Sequence, residues 1–312
     1  MKFISGIHNL RKQPHGCVLA IGNFDGVHRG HQALLTRLSE EGRRRQLPVM
    51  VMLFEPQPPE MFFGTSAPAR LTRLREKLHY LACTGVDSVL CIRFNQAFAA
   101  CSAERFIIEL LVAKLGVRFL MTGDDFRFGS ERRGDLRQLQ QAGEKYGFEA
   151  ISTETFCANG TRISSTAVRE ALASDNLALA ATLLGRPFTL CGRVVHGDAL
   201  GRTIGFPTAN VPLHRTVLPV GGVYAVEVHG LANTPLPGVA NIGTRPTLGG
   251  QRQQLEVHLF DVKMDLYGQY INTELKSKIR NERRFESFGA LVQQIGKDAK
   301  AAREFFGLKT PE

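Results

Sequence analysis

Gly22-Asn23-Phe24-Asp25-Gly26-Val27-His28-Arg29-Gly30-His31 decides the fold of the N-terminal half. It directly follows an apolar run, Cys17–Gly22, and directly precedes a helix-like segment, Gln32–Arg45. Strand, glycine turn and helix together offer backbone N–H groups and a positive helix end to phosphate. Gly22, Gly26 and Gly30 let the backbone come close to a ligand. His28 and His31 stand three apart, so in a first helical turn they share a face. Two imidazoles aimed at one place can stabilise a phosphoryl group that gains charge. On residue types alone the pair also suits polar surface or zinc, but no third or fourth ligand lies nearby in sequence.

Working outward, further apolar runs fall at Val49–Phe54, Asp87–Phe94, Arg118–Thr122 and Glu149–Thr155, separated by stretches of helical spacing. The clearest is Ser102–Gly116, with Ser102 as N-cap, Gly116 as stop, and Phe106, Ile107, Leu110, Leu111 and Leu115 on one face. This alternation predicts an α/β unit, a parallel sheet covered by helices with ligands at the carboxyl ends of its strands. The pattern changes after Leu184, where Gly185-Arg186-Pro187 punctuates the chain and sets domains at 1–185 and 186–312. Strand-like runs then follow at Phe188–Val195, Gly222–Val228, Gly238–Ile242, Leu255–Val262 and Tyr270–Ile279. They predict an antiparallel β-barrel. A helix carrying Phe288, Leu291, Val292, Ile295, Ala299, Ala302 and Phe306 on one face should close it.

Composition bounds the function. Lys plus Arg outnumber Asp plus Glu by 39 to 29, and the net charge of +10 attracts polyanions: nucleic acid, acidic membrane or phosphorylated small molecules. The six cysteines form no C-x-x-C pair and have mostly apolar neighbours, which predicts buried free thiols and a cytoplasmic protein. No run approaches the roughly 20 apolar residues that cross a bilayer.

In the second half, Gly192–Asn210 carries the chemistry. It lacks the G-K-[ST] of a Walker loop. Gly197, Gly201 and Gly205 could let a loop wrap a phosphate chain, although glycine-rich hairpin turns explain the same spacing. Thr208 and Asn210 alternate, so on an extended strand they share a face and could offer Mg²⁺ two hard oxygens. If Leu255 and Val257 face the core, Glu256 points to the opposite face. There it is either a general base or an ordinary solvent-facing carboxylate.

The first decade resembles the nucleotidylyltransferase signature, in which an H-x-G-H element binds ATP phosphates. Its form G-N-F-D-G-V-H-x-G-H resembles the prokaryotic FAD synthetases with fused riboflavin kinase. Thr122–Gly129 looks like that family's flavin-contact loop, and Arg162–Arg169 looks like its second phosphate loop. Gly201-Arg202-Thr203-Ile204-Gly205-Phe206-Pro207-Thr208-Ala209-Asn210 resembles the riboflavin kinase signature. So do Gly222–Val226, Ala240–Thr247, Leu255–Asp261 with Asp265–Gly268, and Ile279–Phe285. The resemblance runs from about Gly16 to Gly307 in the expected order.

It implies a Rossmann-like nucleotidylyltransferase unit that adenylylates FMN to FAD, and a six-stranded antiparallel β-barrel unit with a closing helix that phosphorylates riboflavin to FMN. Both would use ATP with Mg²⁺. In the first unit it implies ATP contacts from Gly22, Asn23, Phe24, Asp25, Gly26, His28, Gly30, His31, Ser164, Ser165, Thr166 and Arg169. His28, His31 and Arg169 would stabilise the transition state, and Asp25 would orient or serve the metal side. Flavin contacts would come from Phe62, Asp124 or Asp125, Phe126 and Phe128. In the barrel it implies ATP contacts from Gly197, Gly201, Arg202, Gly205, Pro207, Thr208 and Asn210, with the last pair also holding Mg²⁺. Flavin contacts there would come from Asn241, Glu256 and Arg280, with Glu256 as catalytic base. The partners expected are riboflavin, FMN and ATP, with neither nucleic acid nor membrane, for a monomer or weak homo-oligomer.

Two other readings compete. A transferase of the same fold could act on another phosphorylated acceptor, such as pantetheine phosphate or nicotinamide mononucleotide, but those relatives lack the attached barrel. A basic regulatory module could bind nucleic acid, which predicts basic residues clustered with aromatics on one element. Arg43-Arg44-Arg45 is the only triple, and it falls at a helix end, where cations are ordinary.

Overall fold

The computed structural model describes residues 1–11, 15–153, 156–158, 161–197, 200–247 and 250–309. Glu154 and Thr155 of the fifth apolar run, and Asp198 and Ala199 of the glycine-rich loop, lie outside the described residues.

The first compact unit comprises Met1–Pro68 and Thr72–Ser165. Its six parallel strands are β1 (Lys2–Ser5), β2 (Cys17–Ile21), β3 (Val49–Glu55), β4 (Ser88–Arg93), β5 (Val117–Thr122) and β6 (Glu149–Ser152). They lie in the order β1-β4-β3-β2-β5-β6. All five residues of β2 are buried, as a central strand covered on both faces requires. Cys17, Leu19 and Ile21 join one apolar cluster, and Val18 and Ala20 join the cluster on the other face. From β2 the chain crosses to β3 on one side and from β5 to β6 on the other, and a ligand crevice is expected where such connections diverge, beyond the carboxyl ends of β2 and β5.

Strand β1 escapes the sequence pattern because only Ile4 of its four residues is buried; it adds an edge beside β4. A short hairpin, β7 (Cys157–Ala158) with β8 (Thr161–Arg162), precedes the last loop of the unit. Ser102 does cap a helix, accepting a hydrogen bond from the Arg105 N–H at 3.1 Å. Only Ala103–Arg105 is α-helical, however, and Phe106–Lys114 winds as a wider π-helix. The predicted apolar face is still fully buried, and Gly116 ends the element at φ +58°.

The second compact unit comprises Ala69–Leu71 and Thr166–Glu312. It begins before the break at Gly185 because helical residues ahead of that glycine pack on the barrel. The Tyr224 hydroxyl, on a fully buried ring, donates to Asp175 at 2.9 Å, and Lys278 Nζ donates to the same carboxylate. Gly185, at φ +75°, closes the helix Leu177–Leu184.

The barrel strands are β9 (Thr189–Arg193), β10 (Ala209–Pro212), β11 (Gly222–His229), β12 (Leu236–Thr247), β13 (Gly250–Leu259) and β14 (Tyr270–Arg280). They run antiparallel in the order β10-β13-β12-β11-β14-β9. The Val195 N–H donates to the Asn210 carbonyl at 2.9 Å and nearly closes the cylinder. Leu255 and Val257 are buried on one face of β13. On the opposite face of the sheet, Val223, Ala225, Val239 and Phe260 pack against Ala299 and Ala302 of the helix Phe288–Phe305.

That helix closes the barrel with its second half only. Phe288 is 59% exposed, and Leu291 and Ile295 line a cavity instead of packing into the core. The cysteines are all free, but Cys83 and Cys157 are exposed, unlike the buried thiols expected. Burial pushes the Cys17 thiol up to about 12 and Cys91, also beside Glu55, up to about 11.

Candidate functional site

In the first unit the glycine loop leaves the carboxyl end of β2, at the crevice. Phe24, Gly26 and Val27 all take left-handed backbone, at φ +47°, +85° and +42°. For a β-branched residue such as Val27 that costs on the order of 1–3 kcal/mol and persists only where surroundings enforce it. The side chains of Phe24 and Val27 are buried at 2% and 1% exposure. Asp25 is equally buried, and its Oδ1 accepts from the Thr72 N–H at 3.0 Å and hydroxyl at 3.2 Å. Thr72 Oγ1 accepts in turn from the Gly26 N–H at 2.9 Å. The Asp25 carboxylate therefore orients the loop from beneath.

The helix starts at Arg29, earlier than Gln32, with His28 as its cap. His28 Nδ1 accepts from the His31 N–H at 3.3 Å, so in the neutral ring the proton sits on Nε2. The two rings stack at 3.6 Å and 19°. His31 Nδ1 is shielded from water without a hydrogen-bond partner among the described residues. Burial first, then the charges of His28 and Lys77, hold its pKa well below the usual imidazole value. His31 is thus neutral near pH 7. Lys77, fully buried on the helix Leu74–Ala82, is the neighbouring charge that sequence reading missed.

The second loop meets this element. A Cβ on Gly30 would sit 3.1 Å from the Ile163 carbonyl, and Ser165 Oγ donates to the Asp25 carbonyl at 2.9 Å. Ser164 is half-buried beside them in sequence. Thr166 and Arg169 fall in the second compact unit, where Arg169 Nε donates to the Ala69 carbonyl at 2.6 Å.

Beyond β5, Asp124 is held by Arg162 at 3.2 Å, and Asp125 is exposed. Phe126 and Phe128 stack at 5.7 Å. Phe128 is only 7% exposed and packs on Phe106 in the core. Phe126, half-buried, and Phe62, 59% exposed, are the rings of the expected flavin set with open surface.

The barrel carries a cavity of about 500 Å³ under the first half of the closing helix. Strand register builds its polar wall. Asn210 on β10 and Asn241 on β12 both stand opposite Glu256 on β13, so three polar side chains cross the sheet in one row. Thr208 lies just before β10 and lines the same cavity. Glu256 thus faces the cavity, on the side opposite Leu255 and Val257. The loop backbone depends on its glycines. A Cβ on Gly201 would stand 2.2 Å from the Phe206 carbonyl, and one on Gly197 would stand 2.4 Å from Asn210 Nδ2. Gly205 takes φ +82°. Arg202 and Pro207 are exposed. Arg280 lines the cavity, but its guanidinium binds the buried Asp298 carboxylate through Nε at 2.9 Å and Nη2 at 2.7 Å. A hydroxyl and an amide oxygen on one wall are the hard donors Mg²⁺ takes, so Thr208 and Asn210 fit that ion.

Gln254 and His258 face the same cavity and were missed, although the alternation through Glu256 announces them. Thr72 had no such signal, being 47 residues from Asp25.

The FAD synthetase family model matches residues 10–167, and the riboflavin kinase model matches residues 184–306. The chain is 68% identical, over all of both chains, to the bifunctional riboflavin kinase/FMN adenylyltransferase of Escherichia coli K12. It is 51% identical to the protein of that name from Haemophilus influenzae, covering 98% of this chain and 99% of the other. A solved Streptococcus pneumoniae structure, titled a macrolide-efflux protein, superposes with TM-score 0.79 at 29% identity, covering 97% of this chain and 99% of that one. With both family models matched in order and relatives aligned end to end, the chain belongs to the bifunctional riboflavin kinase/FMN adenylyltransferase family.

Proposed function

We propose that the barrel unit transfers the γ-phosphate of ATP to riboflavin, giving FMN and ADP, with Glu256 as base. The first unit transfers AMP from a second ATP to FMN, giving FAD and pyrophosphate. The observation that carries the assignment is the register of the barrel, which sets Glu256 directly opposite Asn210. The ribityl hydroxyl is neutral, and a carboxylate within reach can take its proton as the O–P bond forms. Thr208 and Asn210 would hold Mg²⁺, which when bound neutralises phosphate charge. Gly197, Gly201, Arg202, Gly205 and Pro207 wrap the phosphate chain, while Asn241 and Arg280 serve the flavin.

The first unit needs no base, because the FMN phosphate attacks with an oxygen already anionic. It needs alignment and donors around the α-phosphate. His28 Nε2–H, the start of the helix Arg29–Arg45 and the Ser164 hydroxyl supply them, while Ser165, whose proton goes to the Asp25 carbonyl, ties the two loops together. Phe62 and Phe126 stack on the isoalloxazine.

The functional boundary in this reading stays at 185/186, and the chain works in the cytoplasm as a monomer or weak homo-oligomer. The basic-module alternative loses its best patch, since Arg44 and Arg45 both pair with Glu41. Purified protein incubated with riboflavin and Mg-ATP should yield FMN and then FAD by HPLC. Salt-sensitive filter binding of DNA or RNA with no flavin product would overturn the reading. Gly201→Ala should cut FMN formation at least about tenfold, because a Cβ overlapping a backbone carbonyl must displace the loop. FMN-to-FAD conversion by the same variant should stay at the parent rate, and the two rates measured separately check this.

A further inference from the structure

On β13, Gln254, Glu256 and His258 alternate and face the cavity, while Leu255, Val257 and Leu259 are buried on the other side. The residues flanking Glu256 each grip the segment proposed to hold the metal. His258 Nδ1 lies 2.9 Å from the Pro207 carbonyl. A carbonyl only accepts, so Nδ1 carries the proton. The ring is steadied edge-on by Phe206 at 5.3 Å and Phe260 at 5.8 Å. At the other end, Gln254 Nε2 donates to Asn210 Oδ1 at 2.5 Å and reaches Glu256 Oε1 at 3.4 Å. Gly197 also lies against the Asn210 amide, where a Cβ would come within 2.4 Å of Nδ2.

Pro207 has no N–H and precedes β10, so strand pairing does not fix it; the ladder begins at Ala209. We propose that His258 and Gln254 are positioning residues, which clamp Pro207–Asn210 to the strand that bears Glu256 and so set the phosphate-side oxygens against the base. The inference rests on the kinase reading of this cavity. Neither side chain takes part in proton transfer; each acts through the segment it holds. Loss of the clamp should therefore weaken the metal–nucleotide side more than the flavin side.

Tautomer makes the test specific. Asn places an N–H donor near the position of Nδ1, whereas Gln reaches the position of Nε2 and Phe donates nothing. Mn²⁺ binding to the full-length protein with ADP, read by EPR, should weaken about tenfold in His258→Phe and His258→Gln, as expected for losing one well-placed hydrogen bond. His258→Asn should return it to within about threefold on the same grounds. KM for Mg-ATP should follow the EPR result, while KM for riboflavin stays near the parent value. Gln254→Leu supplies a second variant should His258→Phe not fold, and it should weaken Mn²⁺·ADP binding several-fold, about one hydrogen bond's worth. Equal loss in the Asn, Gln and Phe variants, or a matching rise in riboflavin KM, would overturn the clamp. Parent protein that makes no FMN would overturn the kinase reading instead.

Discussion

Glu256→Ala stops FMN formation while leaving FMN-to-FAD conversion at the parent rate: that is the largest effect expected from the barrel. A positioned general base contributes roughly 10²–10⁴-fold, and the ribityl hydroxyl has no charge of its own to attack with. Glu256 stands across from Asn210 and Asn241 in the strand register, in a cavity of about 500 Å³. Glu256→Gln keeps the shape and removes the base, so it should lose nearly as much. Initial rates of FMN formation from riboflavin, and of FAD formation from supplied FMN, separate the outcomes. A Gln variant at the parent rate would leave Glu256 an ordinary strand carboxylate.

His28→Ala should do the opposite, lowering FAD formation by on the order of 10²-fold, the effect of losing one preorganised donor worth about 3 kcal/mol. Riboflavin phosphorylation should be untouched. The stacked partner adds a pH signature. The pKa of His31 is depressed in the folded chain, by burial and by the charges of His28 and Lys77. The unfolded chain takes up a proton near pH 6.5 that the folded site refuses. The contribution to stability is therefore present above about pH 6.5 and is lost as pH falls below it. Urea midpoints of the first unit at pH 7.5 and 5.5 should differ more in the parent than in His31→Phe. Equal differences would show that His31 titrates normally.

Much of this was written locally in the chain. The apolar runs Cys17–Gly22, Val49–Phe54 and Arg118–Thr122 become adjoining central strands because burial on both faces leaves no polar alternation. Leu255 and Val257 point inward and turn Glu256 the other way, as a two-residue period demands. What escaped depends on partners far away in sequence. Thr72 under Asp25 is settled by topology and not by spacing. Lys77 reads as a helix-surface lysine until the fold buries it. The apolar face of the last helix reads as continuous core, yet its first half, with Phe288, Leu291 and Ile295, roofs a cavity. Periodicity distinguishes apolar from polar faces; it cannot say whether protein or ligand will cover them.

Two chemistries on one chain, each with its own residues, are tested most directly by mixing defective proteins. His28→Ala and Glu256→Ala, incubated together with riboflavin and Mg-ATP, should produce FAD by HPLC. Alone, the first should stop at FMN and the second should leave riboflavin unchanged. FMN that accumulates in the mixture without reaching FAD would contradict separate, self-sufficient sites.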